Sequence, residues 1–280
     1  MAFVHSTEAA DDGGALSQTV RAQLRLRELI VGGELKPGAR IAEMSLVEKL
    51  GASRTPVRMA LVRLQEEGLL DALPNGGFVV KDFSESDIHD AIEVRGTLEG
   101  LAARLAAERG VSPVLLADVR DCLERIDALL AQPALSEESF SGYVTQNGRF
   151  HALLVEMAGS PLVARQIERA VSLPFASPNS FVMMQATGPL ARDVLVVAQR
   201  QHRSVVEAIQ RREGARAEAL MREHARIAHD NLREALRSHQ ALQRVPGASL
   251  IRRRLDALRD GSRDGSRDPT RSAIHPPARP

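Results

Sequence analysis

Residues Ser53 to Leu69 read SRTPVRMALVRLQEEGL, and the fold turns on them. Ser53 is an N-cap residue type, and Pro56 falls in the first helical turn, where its missing N–H costs nothing. Val57, Ala60, Leu61 and Leu64 recur at helical spacing and form one apolar face. Arg54, Thr55 and Arg58 crowd the amino end, off that face, and Glu66 and Glu67 lie at the other end. A short helix that buries one side and offers arginines and a hydroxyl at its start suits a major-groove reader, because the guanidinium fork fits guanine O6 and N7, or phosphate. The same residues also describe a surface helix with a charged face, so the flanking chain decides.

Upstream, a helical pattern runs from Leu16 through Val20, Leu24, Leu26, Leu29 and Ile30, and Gly32 and Gly33 end it. Leu35-Lys36-Pro37-Gly38 is a turn. Ser45-Leu46-Val47-Glu48 has the spacing of a capping box and predicts a short helix that stops at Gly51. Downstream, Leu69 to Ala72 and Phe78 to Lys81 are strand-like runs around Pro74-Asn75-Gly76-Gly77, a hairpin turn. The order helix, helix, turn, helix, hairpin is a winged helix-turn-helix, with the hairpin as the wing. All three lysines of the chain, Lys36, Lys49 and Lys81, fall in this domain, and Arg40, Lys49, Arg54 and Arg58 lie in or beside the motif.

The totals limit the alternatives. The 280 residues suffice for two domains, and 44% apolar with 26% charged residues is a globular composition. Aromatics are 3% and Trp is absent, which argues against base-stacking platforms for single strands or RNA. A net charge of +1 requires any nucleic-acid surface to be local. Cys122, the only cysteine, excludes an intrachain disulfide and a multi-cysteine zinc site and fits a reducing compartment. No apolar run approaches a membrane span and the polar N-terminus lacks a signal-peptide core, so a cytoplasmic location is expected.

Residues 24 to 81 resemble the DNA-binding domain of the GntR family of bacterial transcription regulators. The matching words are I-x-G-G-x-L-x-P-G at Ile30 to Gly38, S-R-T-P-V-R-x-A-L-x-R-L at Ser53 to Leu64, E-G-L at Glu67 to Leu69, and the glycine wing at Gly76-Gly77-Phe78-Val79-Val80. The resemblance implies that Ser53 opens the recognition helix, that Arg54, Thr55 and Arg58 meet bases or phosphates, and that Gly76 or Gly77 lies at the wing tip in the minor groove. Many relatives carry another arginine at the start of the second helix; here that region reads Ala42-Glu43-Met44-Ser45, and Arg40 is the substitute considered.

From Ser84 onward the chain is nearly continuous helix. Ser84-Glu85-Ser86-Asp87 caps a helix over Ile88 to Arg109, with an expected apolar stripe of Ile88, Ala91, Ile92, Val94, Leu98, Leu101, Ala102, Leu105 and Ala106. Further helices are expected at Pro113 to Leu130, from Ser136 to about Ala158, at Leu162 to about Ser172, and at Pro189 to Arg212 and Ala215 to Ala241 about a turn at Gly214, with a loop or broken helix over 173–188. About six helices make an antiparallel all-α bundle. The expected organisation is a flexible leader at 1–15, a winged helix-turn-helix at 16–82, a helical effector-binding and dimerisation domain at 83–242, and a disordered tail at 243–280 with its repeated Gly-Ser-Arg-Asp.

His202 precedes Gly214 by twelve residues and His224 follows it by ten. At about 1.5 Å per residue, both rise roughly 15–18 Å from the turn, so a tight antiparallel hairpin brings them level. His151 lies on a third helix, with Asn147 one turn earlier on the same face. Three histidines on three inward faces suit a divalent metal. His5, His89, His229, His239 and His275 show no such relation and are expected at the surface.

The bundle is similar to the FCD ligand-binding domain of the FadR-type branch of GntR regulators. The words are F-H-x-x-L-x-E-x-A-G-S-P-L at Phe150 to Leu162, H-x-x-x-V-x-A-I at His202 to Ile209, and A-L-M-R-E-H ending at His224. The resemblance implies a metal, Zn or Ni, on Asn147, His151, His202 and His224, with Asn147 standing where the family has aspartate. A neutral carbonyl in place of a carboxylate weakens the site, or leaves three histidines and water, or an effector bound without metal. It also implies a small carboxylate effector at or above the metal. Arg95 is the candidate partner for that carboxylate, and an i,i+4 ion pair with Glu99 is the competing reading.

The expectation is therefore a non-enzymatic, homodimeric DNA-binding regulator of a double-stranded operator, a repressor tuned by a small carboxylate. Two alternatives stand beside it: a metal-dependent hydrolase using the histidines, which lacks an evident general base because Glu156 is turned off the His151 face, and an architectural DNA-binding protein with no effector.

Overall fold

The structure, a computed structural model, describes residues 12–132, 135–173, 175–182, 191–237 and 242–252. Helix α1 (Asp12–Val31) buries Ala22, Leu26, Leu29 and Ile30. It starts ahead of the expected Leu16, so the leader ends earlier than residue 15; residues 1–11 lie outside the described residues. Gly13 and Gly14 each cost a helix about 1 kcal/mol, which does not stop one already nucleated by the apolar run that follows.

Helix α2 (Glu43–Leu50) corrects the capping-box reading, since Ser45 lies inside it and its N-cap, Ala42, makes no side-chain cap. The acidic Glu43 in its first turn complements the helix dipole instead. Gly51 ends it with φ 58°, a left-handed conformation that glycine adopts without a steric penalty. Helix α3 (Arg54–Glu66) buries Pro56, Val57, Ala60, Leu61 and Leu64 against α1, the face read from the sequence. Ser53 holds the N-cap position with extended backbone, but its side chain bonds no helix N–H.

Strands β1 (Leu70–Ala72) and β2 (Phe78–Val80) pair antiparallel, Leu70 opposite Val80 and Ala72 opposite Phe78. Residues 38–41 add a third line, for Val80 N–H donates to Ala39 O and Ile41 N–H to Phe78 O.

Among the described residues, six α-helices follow: α4 (Glu85–Arg109), α5 (Pro113–Leu130), α6 (Glu137–Met157), α7 (Pro161–Ala170), α8 (Ala191–Gln210) and α9 (Gly214–Arg237). The capping box at α4 is present: Ser84 Oγ accepts from Asp87 N–H at 3.1 Å and Asp87 Oδ2 accepts from Ser84 N–H at 2.8 Å. The buried face of α4 differs from the expected stripe. Val94 is 52% exposed, while Arg95, Gly96, Glu99 and Gly100 are buried. A Cβ on Gly96 would stand 2.6 Å from Ala225 Cβ, and one on Gly100 2.8 Å from Arg222 Cγ. The two glycines thus let α4 lie tightly on α9 and turn Arg95 and Glu99 inward.

The α8–α9 turn is Arg211 to Glu213, with Arg212 at φ 65°, and not Gly214, which opens α9 against Glu108 and Arg104. The expected 173–188 loop is partly core: Phe175 and Phe181 are buried, and 183–190 lie outside the described residues.

The expected tail from 243 is also corrected. Residues 242–252 return to the winged helix, where Leu242, Val245, Leu250 and Ile251 join the core formed by α1, α3 and the hairpin. Phe83 N–H donates to Leu250 O and Arg252 N–H to Phe83 O, both at 2.8 Å. Arg252 grips Asp82 through two bonds of 2.7 and 2.9 Å. The Gly-Ser-Arg-Asp repeats lie outside the described residues. Leu232 and Ala235 of α9, with Phe175 and Phe181, belong to the same apolar cluster, so one core spans the winged helix and the end of the bundle.

Candidate functional site

The candidate residues fall into two groups. On the winged helix, Ser53, Arg54, Thr55 and Arg58 are exposed at the start of α3, as are Gly76 and Gly77 at the hairpin tip. The tip glycines have φ 84° and 87°, which side chains resist, and leave open space where a Cβ would point. Arg40 is exposed but bridges Val79, so it stands on the edge of the wing and not at the start of α2. Glu43 faces Arg54 and Arg58, each at 3.8 Å.

The second site lies inside the bundle. His151 on α6, His202 on α8 and His224 on α9 are all buried, with ligand atoms within 4.8 Å of one another. Each Nδ1 meets an oxygen: His151 to Glu99 Oε1 at 2.7 Å, His202 to Gln199 Oε1 at 3.2 Å, His224 to Gln201 Oε1 at 3.1 Å. Two of the tautomers follow from these partners. Gln199 Nε2 donates to Leu123 O and Asp127 Oδ1, which fixes its oxygen toward His202, so His202 Nδ1 donates. Burial alone would raise the Glu99 pKa, but His151 and Arg95 outweigh it and hold the carboxyl below its ordinary value. An ionised Glu99 makes His151 Nδ1 a donor too. His202 therefore turns a bare Nε2 inward, and His151 turns its Nε2 toward the same point.

His151 Nε2 is buried without a hydrogen-bond partner, and His202 Nε2 lies 3.1 Å from His224 Nε2. With His202 Nε2 bare, that contact needs a proton on His224 Nε2 or a cation in its place. Burial, then the neighbouring imidazoles, lowers the pKa of His202, and burial with His151 lowers that of His224 to about 3. Imidazoles with each Nδ1 against an oxygen, and with the Nε2 atoms converging, are the donor set a divalent metal takes. The residues fit the metal on chemistry, and no ion is part of the structure.

Asn147 is buried, and its Nδ2 donates to Asn179 Oδ1 at 2.8 Å. Arg95 lines a cavity of about 30 Å³ with Tyr143, Asn147, Phe181, His224 and Asn231. It also stands 4.0 Å from Glu99, the ion pair named as its competing role. The sequence reading missed Glu99 as the partner of His151 and Asn179 as the partner of Asn147. An acid on the inward face of α4 was the available signal for the first. His229 departs from its expected surface placement: it is 5% exposed, stacks on His89 at 3.7 Å and lies 3.5 Å from Glu93. His5, His239 and His275 lie outside the described residues.

A winged helix sharing its core with a helical bundle is the build of a DNA-binding transcription regulator. Residues 18–80 match the family model for bacterial regulatory proteins of the gntR family, and residues 90–227 match the FCD domain. An uncharacterized HTH-type transcriptional regulator of Agrobacterium vitis, from the TAR-I ttuE-ttuC' intergenic region, is 37% identical over 155 residues, 54% of this chain and 88% of that one. The transcriptional repressor GlaR of Escherichia coli strain K12 is 28% identical over 199 residues, 71% of this chain and 88% of the relative. The solved structure of E. coli McbR/YncC superposes with a TM-score of 0.55 at 22% identity, covering 78% of this chain and 97% of that one, a likeness of fold. The chain belongs to the GntR family, in the branch with an FCD domain. Among the described residues no helix is long and apolar enough to cross a membrane.

Proposed function

We propose that this chain is a homodimeric repressor whose operator binding responds to a small carboxylate, bound beside a divalent metal on His151, His202 and His224. The observation that carries the reading is the convergence of the three imidazoles, each with Nδ1 engaged by an oxygen. Asn147 commits Nδ2 to Asn179, which leaves Oδ1 as its ligand atom. A metal held by the three histidines would supply a positive point for one carboxylate oxygen, and the Arg95 fork would take the other. Glu99 holds His151 in the ligating tautomer and contributes the negative charge that Asn147 lacks.

The link to DNA is physical. Phe181 lines the cavity, Asn179 holds Asn147, and Phe175 packs edge-on to Phe83, at 4.5 Å, where the winged helix joins α4. About 30 Å³ is room for a water or an ion, so a carboxylate has to displace part of the lining, to which Phe181 belongs. Such an effector binds two arrangements of the DNA-binding domains unequally, as control requires. Repression as the sign of control is supported by the relative named a repressor, and dimerisation by the paired half-sites that helix-turn-helix proteins read.

A thermal-shift screen of carboxylates, with and without Zn²⁺ or Ni²⁺, tests the site. Metal and an acid together raise the melting temperature of the unsubstituted chain, and His202→Ala abolishes the metal-dependent part. Identical shifts in both proteins would remove the assignment.

A further inference from the structure

We propose that Glu43 is a specificity-determining residue that holds Arg54 and Arg58 toward base edges and away from phosphate. Glu43 opens α2, and its Oε2 lies 3.8 Å from Arg54 Nε while its Oε1 lies 3.8 Å from Arg58 Nη1. The arginine side chains are 68% and 62% exposed, the carboxylate 16%. One acid rooted in the domain therefore stands behind two cations that project from the recognition face. Glu43 Oε2 is buried and has no hydrogen-bond partner. A buried acceptor without a donor is unfavourable, and both guanidiniums stand only a few tenths of an ångström beyond bonding range.

Docking on a duplex relieves this deficit. The arginine forks close onto the carboxylate as they take guanine edges. A phosphate gives the opposite result, because its oxygens bring negative charge up to Glu43. The acid thus penalises the phosphate-bound arrangement of Arg54 and Arg58 more than the base-bound one, and specificity is that difference. Without it, two neighbouring cations repel each other and each takes phosphate as readily as base. The inference rests on the reading that α3 enters the major groove through Arg54 and Arg58, and is independent of the metal site.

Binding-site selection with the unsubstituted chain supplies a duplex, and a shuffled duplex of the same composition is the reference. Both are titrated over a range of salt with the unsubstituted chain, Glu43→Gln, Glu43→Asp and Arg54→Ala. Glu43→Gln lowers the selected-to-shuffled affinity ratio by about tenfold or more. It binds the shuffled duplex at least as tightly, and its salt slope steepens by about one. Glu43→Asp, which keeps the charge, retains more of the ratio than Glu43→Gln. An unchanged ratio in Glu43→Gln overturns the proposal. So does a parallel loss on both duplexes with a lowered melting temperature, which is what a residue that merely stabilises α2 gives. If Arg54→Ala leaves the selected duplex bound as before, the groove reading itself fails. If Arg54→Ala weakens it and Glu43→Gln leaves the selected-to-shuffled ratio unchanged, only the role of Glu43 fails.

Discussion

Glu99 Oε1 and His151 Nδ1 stand 2.7 Å apart, with both side chains buried. The bond joins α4 to α6 and sets which nitrogen of His151 faces the other two histidines. Glu99→Gln keeps the shape and removes the charge. It is expected to weaken Zn²⁺ or Ni²⁺ binding by about 10- to 100-fold, the usual effect of losing a partner behind a ligating histidine. Calorimetric titration of metal into the stripped protein measures it.

Gly96 lies against Ala225 with no room for a methyl group, the added Cβ standing 2.6 Å from Ala225 Cβ. Gly96→Ala forces α4 and α9 apart and should cost about 1–3 kcal/mol of stability. Urea denaturation detects the loss, and a second change, Ala225→Gly, should recover part of it.

The strap at 242–252 is tied to the domain junction by the Arg252–Asp82 pair, and that bond, set against partial burial, lowers the Asp82 pKa. A carboxylate whose folded pKa lies below its unfolded value adds stability above the unfolded value and loses it as pH falls through the folded one. Arg252→Ala should therefore lower the melting temperature slightly at neutral pH, by under about 1 kcal/mol for so exposed a pair. The difference between the two proteins should shrink steadily below about pH 4.

Arg54 is exposed at the amino end of α3, with Glu43 the acid beside it. Arg54→Ala should weaken binding to a selected duplex by roughly 1–3 kcal/mol if the fork is bidentate to guanine. Fluorescence anisotropy on that duplex measures the change.

Much of this fold was legible because its signals are local. The face Val57, Ala60, Leu61 and Leu64, the glycine wing and the Ser84–Asp87 cap each announce themselves within a turn or two of chain. His202 and His224 were legible because an antiparallel hairpin converts equal distances from a turn into contact. The inward face of α4 was not, since periodicity counts apolar residues and this face carries Arg95, Gly96, Glu99 and Gly100. The strap was not either: Leu242, Val245, Leu250 and Ile251 follow no helical or strand period and acquire meaning only against α1 and Phe83. Asn179 lies in a stretch without regular structure, so nothing local tied it to Asn147.

The central claim is that occupancy of the histidine site governs operator binding. Its most direct test is the affinity of the metal-stripped chain for a selected duplex, titrated with Zn²⁺ or Ni²⁺ and a panel of small carboxylates, beside His202→Ala. The account predicts that metal with a matching acid weakens duplex binding by the unsubstituted chain, and that His202→Ala binds the duplex but ignores both. Duplex affinity that stays constant in the unsubstituted chain across every metal and acid would contradict it.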